Sequence, residues 1–312
     1  MHHKKEKPHI MKTTELFEKK TVFSLEIFPP KKTSSIKTIY DTLDGLEGTH
    51  PDFISVTFGA VGAGDNTHTF PIASTIKKYY QIEGVAHLPA ISLTRDQVLQ
   101  RLHEMESYGI ENVLALRGDL PVGGEAPSGH FPHASDLIAF VKEHTDLNII
   151  AACYPEKHPE CPNRVDDIRN LKRKVDAGAN HLISQLFFNN AHFYDFLERC
   201  DLAGINVPIE AGIMPVVNKA QIERITSLCG ADIPPKFRRM MDRFGDNPRA
   251  MRDAGIAYAV DQIIDLITQG VDGIHLYTMN NPFIARRIND AVSNLISVTP
   301  ARAAHRKVLA FA

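Results

Sequence analysis

The chain has no tryptophan, only four cysteines and no G-x-G-x-x-G, and each shortage excludes something. Cys153, Cys161, Cys200 and Cys229 form no C-x-x-C pair, and 312 residues with so few thiols do not make a disulfide scaffold. Cys153 and Cys161 flank His158, but the spacing is not a usual zinc pattern and no fourth ligand is evident, so no metal is expected. A doubly wound open sheet, the alternative fold, would normally bring the missing Gly-rich turn; the glycines of GAVGAGDN come in the wrong order for it. No apolar run reaches the length of a membrane span. The stretch MHHKKEKPHIMKTTELFEKK is too charged for a secretory signal, and basic residues form no long run beyond it. A net charge of −2 asks for neither nucleic acid nor a membrane surface. The cytoplasm is the expected location.

What is present is a repeating order. Apolar, β-branched runs fall at about 21–28, 52–58, 85–88, 112–117, 147–154, 180–187, 207–213 and 271–278. Helix-patterned segments lie between them, such as SSIKTIYDTLDGLEG, TRDQVLQRLHEMESYGI, ASDLIAFVKEHT and VDDIRNLKRKVDAGA. Thr94 with Gln97 reads as a capping box, and Gly109 and Gly178 stand where helices should close. Eight strands alternating with helices predict a (β/α)8 TIM barrel. Extra helices are expected between the seventh and eighth strands, followed by a regular one at about 247–269. The expected organisation is a flexible leader over 1–20, a single barrel over 21–300 and a tail over 301–312.

In such a barrel the chemistry sits where the strands end. Those ends carry Glu26, Thr57, His87, Arg117 with Asp119, Tyr154, Gln185, His275 and Tyr277. Taken singly, each has an ordinary structural explanation: Glu26 as an ion-pair partner, Asp119 as a turn residue, His87 as a core histidine, the run KRK at 172–174 as a solvated helix face. Together they describe a polar pocket at one mouth. In TVFSLEIFPPKK, Glu26 lies opposite Phe23, Leu25 and Ile27, just before Pro29 and Pro30 end the strand.

The motifs SLEIFPPK, FISVTFGA, ALRGDLP, AACYPEKHPE, NLKRKVDAGAN with SQLFF, AGIMPV and HLYTMNNP run in the order of the methylenetetrahydrofolate reductase family, and the chain resembles its short bacterial form. The resemblance implies FAD, with NADH or NADPH as electron donor and 5,10-methylenetetrahydrofolate as substrate, turned over by ping-pong hydride transfer. It places Glu26 on the family's acid and Asp119 on the carboxylate near the flavin. Burial is expected to raise the Glu26 pKa and keep it protonated near neutrality. Further positions match cofactor contacts: Thr57, Ala60, His87, Leu116, Arg117, Gly118, Asp119, Tyr154, His158, Asp167, Asn170, Arg173 and Lys174. Gln185 matches a substrate-contacting amide, and Glu26, Asp119, Tyr277 and Asn281 complete the implied substrate set. Small-molecule substrates and a homo-oligomer are the expected partners.

Two positions depart from the pattern. Lys219 or Ala220 stands where some members place an aromatic, and Asn281 where some carry an Arg. Two other readings compete: a metal-dependent barrel lyase or isomerase using His87, Asp119 and His275, and a non-catalytic flavin- or folate-binding subunit of a larger complex.

Overall fold

A computed structural model describes residues 11–30, 34–58, 68–118 and 129–299. Eight strands run β1 Val22–Ile27, β2 Phe53–Val56, β3 Glu83–Pro89, β4 Asn112–Leu116, β5 Asn148–Cys153, β6 His181–Ser184, β7 Ile209–Ile213 and β8 Gly273–Tyr277. All pair in parallel with their chain neighbours, and β8 returns to β1 through Val22↔Gly273 and Glu26↔Tyr277. The sheet is therefore a closed barrel, as the strand count predicts.

Period-two alternation sorts each strand between two cores. Phe23, Leu25 and Ile27 of β1 and Ile54 and Val56 of β2 point outward into the large cluster shared with the helices. Val22 and Phe53 point inward, into a second cluster with Val85, Leu114, Ile150 and Ile183. Ser24 and Glu26 share the inward side with Val22.

The helices are α1 Lys37–Gly45, α2 Thr69–Tyr80, α3 Arg95–Ser107, α4 Ala134–His144, α5 Arg164–Asp176 and α6 Asn190–Leu202, with α7 Lys219–Cys229, α8 Pro235–Phe244 and α9 Pro248–Thr268 between β7 and β8, and α10 Pro282–Val298 closing the ring. The expected capping box opens α3: Gln97 N donates to Thr94 Oγ1 at 3.3 Å and Thr94 N to Gln97 Oε1 at 2.8 Å. The inserted helices build a satellite core in which Phe237 stacks on Phe188 at 4.7 Å. The last of them comes so close that a Cβ on Gly255 would lie 1.6 Å from the Val216 carbonyl oxygen, which leaves room only for glycine.

One expectation is corrected here. Residues 11–20 do not continue a flexible leader. Thr13–Glu18 forms a 3₁₀ turn beneath the barrel, and Phe17, 1% exposed, packs into the inner cluster. Thr13 N donates to Asn112 Oδ1 at 2.9 Å, and Asn148 Nδ2 donates to Thr13 Oγ1 at 2.8 Å. The charged residues around it obscure the signal, which is a single aromatic able to stopper an apolar floor. Residues 1–10 and 300–312 lie outside the described residues. Among the described residues, no helix is long and apolar enough to cross a membrane.

Candidate active site

Glu26 is buried at the C-terminal end of β1, 7% exposed, with its Oε2 at the centre of a polar group. His87 Nε2 of β3 lies 3.4 Å away and His275 Nε2 of β8 lies 3.5 Å away. The Ser55 hydroxyl of β2 donates to the same oxygen at 3.4 Å. These are long contacts, and neither imidazole nitrogen has another hydrogen-bond partner among the described residues. Charge attraction tolerates this looseness better than a hydrogen bond does.

The expected upward pKa shift is overturned. Burial does push Glu26 up, but His275 and His87 outweigh it and hold the carboxyl down at about 2. Sequence reasoning weighed the enclosed mouth without knowing that two imidazoles share it. The carboxylate itself therefore rests ionised, and a proton for chemistry has to be held in the surrounding group.

A second feature is a cleft of about 240 Å³ between β4, β5 and α5, lined by Arg117, Tyr154, His158, Asp167, Asn170, Arg173 and Lys174 among others. The strand-to-helix connections bring these distant stretches to one wall. Lys174 Nζ donates to the Ala152 carbonyl at 2.9 Å, and burial pushes its ammonium pKa down against the pull of Cys153 and Asp167. Burial pushes Asp167 up, opposed by the His158 N–H, which donates to Asp167 Oδ2 at 3.3 Å, and by Lys174. Arg117 forks onto Glu160 at 2.5 and 2.6 Å, and Arg173 donates to Asn170 Oδ1 at 3.0 Å. The Tyr154 and His158 rings meet edge-on at 4.6 Å. Lys172 of the same basic run pairs with Asp176 instead and does not line the cleft.

The other expected residues scatter. Thr57 directly follows β2, with its hydroxyl buried and unpartnered among the described residues. Leu116 closes β4, half-buried. Gly118 has φ +91°, and a Cβ there would meet Pro89 and Ile91 at 3.2 Å, so its backbone needs glycine whatever binds nearby. Gln185 Oε1 accepts from Leu186 N at 2.9 Å. Tyr277 turns its hydroxyl inward onto the Ser184 carbonyl at 2.8 Å, and Asn281 caps α10 by accepting from Ile284 N at 3.3 Å. Lys219 opens α7 and pairs with Asp242 at 3.0 Å. Ala60 and Asp119 lie outside the described residues.

Sequence reasoning missed Glu160, the partner of Arg117, and the residues beneath Glu26. The latter, Ser24 and Glu210, were legible as polar residues inside apolar strands. Among the described residues no group of three His, Cys, Asp or Glu side chains is arranged to hold a metal ion.

A buried carboxylate flanked by imidazoles at the C-terminal mouth of a (β/α)8 barrel that also carries a cleft with Arg173 and Lys174 defines the class of barrel enzymes that handle protons. The methylenetetrahydrofolate reductase family model matches residues 10–293, and the chain belongs to that family. It is 35% identical to the 5,10-methylenetetrahydrofolate reductase of Pectobacterium carotovorum subsp. carotovorum, over 89% of this chain and 90% of that one. Identity to the Escherichia coli (strain K12) enzyme of that name is 36%, over 89% and 91%. A plant relative, methylenetetrahydrofolate reductase (NADH) 1 of Arabidopsis thaliana, is 33% identical over 83% of this chain but only 46% of its own length. Among solved structures, an uncharacterized protein from Clostridium thermocellum that binds two copies of 5-methyl-5,6,7,8-tetrahydrofolic acid shares the fold, with a TM-score of 0.63 at 15% identity over 91% of this chain and 98% of that one. Flavin-dependent folate reduction fits the family; the metal-dependent and non-catalytic readings are not favoured.

Proposed function

We propose that this chain reduces 5,10-methylenetetrahydrofolate to 5-methyltetrahydrofolate, with NADH or NADPH as donor and FAD as carrier. The observation that carries the reading is Glu26, buried between His87 and His275 at the mouth.

The residues present fit FAD. Arg173 and Lys174 answer a pyrophosphate's charge, the unpartnered Thr57 hydroxyl offers a hydrogen bond, and Tyr154 with His158 offers an aromatic edge. When bound, FAD supplies the hydride that nicotinamide gives up and the folate's methylene carbon receives.

The protein's own part is acid catalysis and charge control. The five-membered ring of the folate must open at N10 to make an electrophilic iminium, and N10 leaves poorly unless protonated. Glu26 passes on that proton, which its flanking imidazoles hold for it. Asp119 is assigned the support of the cationic iminium, and Gln185 the pterin edge.

The absorption spectrum of the purified protein tests this reading. A flavin band is expected, bleached anaerobically by NADH or NADPH and restored by methylenetetrahydrofolate; the faster nucleotide identifies the donor. Colourless protein with chelator-sensitive activity would return the reading to a metal-dependent lyase. A flavin that bleaches but is never restored by folate would point to a binding subunit.

A further inference from the structure

A chain of buried polar groups runs down the barrel axis from Glu26 to the floor, and its hydrogen bonds have directions that can be read. At the floor, Asn112 Nδ2 donates to the Met11 carbonyl at 3.1 Å, so Asn112 Oδ1 is the acceptor for Asn148 Nδ2, also at 3.1 Å. That turns Asn148 Oδ1 toward Thr14, whose hydroxyl donates to it at 2.6 Å. With its only hydrogen used, Thr14 Oγ1 must accept from His181 Nδ1–H, 3.3 Å away. A neutral His181 then presents a bare Nε2 to Glu210 Oε2 at 3.6 Å.

Both atoms are fully buried and have no other partner among the described residues. Two lone pairs facing each other there would repel, so a proton lies between them. A buried ion pair is the other solution, but Phe17 and Phe53 enclose the imidazole at 5.0 and 6.0 Å, and among the described residues only the Ser24 and Thr14 hydroxyls would solvate the charges. Burial also holds His181 down at about 3 and pushes Glu210 well above the usual carboxylate range. The proton therefore sits on Glu210.

The order now continues upward. Glu210 Oε1 acts as a carbonyl and accepts from the Ser24 hydroxyl at 2.7 Å. Ser24 Oγ, its hydrogen spent, accepts from His275 Nδ1–H at 2.7 Å. His275 Nε2 then faces Glu26 Oε2 at 3.5 Å, where a neutral imidazole and an ionised carboxylate would again set lone pair against lone pair. We propose that Glu210 is a positioning residue for proton delivery: with its own proton committed to His181, it fixes Ser24 as donor and His275 as the Nδ1–H form, so that Glu26 and His275 Nε2 together always hold one proton ready for the substrate.

The proton balance is simple. One bond breaks, Nε2–H or Oε2–H, and one forms, N–H on the folate nitrogen; the emptied pair regains a proton from water at the mouth. The inference rests on the proposed function for its substrate, not for its tautomers. The groups facing Glu210 are His181, Ser24, Asp52, Asp272 and the Gly273 backbone. Asp52 accepts from Phe23 N at 2.9 Å and pairs with Lys20, and Asp272 accepts from Ile209 N at 2.9 Å. Those facing Glu26 are His87, His275, Ser55 and Tyr277.

Two variants of Glu210 test it. Leucine removes the lock, freeing Ser24 to donate to His275 Nδ1 and moving the imidazole proton to Nε2. The folate half-reaction of Glu210→Leu is then expected to fall by about tenfold per pH unit over a range where the parent is flat, with nicotinamide oxidation unchanged. Glutamine reproduces the protonated carboxyl, its oxygen toward Ser24 and its amide toward His181, and is expected to rescue the flat profile. Should Glu210→Leu not fold, Ser24→Ala removes the same lock and is expected to give the sloping profile. ¹⁵N NMR of labelled histidines reads the tautomer without folate: Nδ1 of His275 protonated in the parent and in Glu210→Gln, and Nε2 alone in Glu210→Leu. Failure of the folate assay with this NMR pattern intact counts against the proposed substrate. Unchanged tautomers in Glu210→Leu and Ser24→Ala, or loss of the flat profile in Glu210→Gln, overturns the positioning role.

Discussion

Two carboxylates occupy the interior of the same barrel, one at its mouth and one towards its floor. Glu26 is 7% exposed and Glu210 is fully buried, so burial alone would push both pKa values up. Yet Glu26 is held down at about 2, and Glu210 is driven far the other way. The difference lies in the neighbours. Glu26 meets two imidazoles, each able to carry a proton toward it. Glu210 meets one hydroxyl, one imidazole already committed to Thr14, and the charges of Asp52 and Asp272. In a low-dielectric interior, what a carboxyl does depends less on depth than on how many protons its neighbours still have to offer.

This contrast assigns proton transfer to the mouth and the positioning that supports it to the layers beneath, and substitutions can break it. The largest effect is expected at Glu26. Glu26→Gln keeps shape and cannot pass a proton, so flavin reoxidation by methylenetetrahydrofolate should slow by about 10²–10⁴, the usual loss for a general acid, while reduction by nicotinamide persists. Near-normal reoxidation in stopped flow would remove Glu26 from the acid's role.

The floor should answer the other way. Phe17→Ala empties the centre of the inner cluster and should cost about 3–5 kcal/mol in denaturant unfolding, with both half-reactions near the parent rate in the fraction still folded. A large kinetic defect without lost stability would mean that Phe17 does more than fill the floor.

Tyr277 sharpens the boundary with a smaller effect. Its hydroxyl satisfies the Ser184 carbonyl inside the barrel wall. Tyr277→Phe should therefore cost about 1–3 kcal/mol of stability for the abandoned acceptor. A raised folate KM with stability intact would return the hydroxyl to the substrate.

The barrel was legible because alternation at eight places leaves few alternatives, and the clustering of polar residues at strand ends exposed the mouth. Legibility failed where the answer depended on a partner brought from another strand. Glu26 shows nothing in SLEIF that foretells His87 and His275 converging on it, so its pKa was expected to move the wrong way. For Tyr277 and Asn281, nothing in HLYTMNNP announces the backbone carbonyl that one meets or the helix that the other caps. Phe17 escaped notice because a single buried aromatic has no period. Its role comes from the hole it fills, and the hole exists only once the barrel has closed.

That stopper makes the barrel a vessel open at one end. Phe17, Phe53, Val85, Leu114, Ile150 and Ile183 fill the interior above the Thr13–Asn112–Asn148 lattice, so among the described residues no passage reaches the mouth from below and all traffic crosses a single rim. On the proposed reading, nicotinamide and folate must queue for that rim, and each in excess obstructs the other's turn. The packed interior, which meets neither substrate, thereby imposes the order of service.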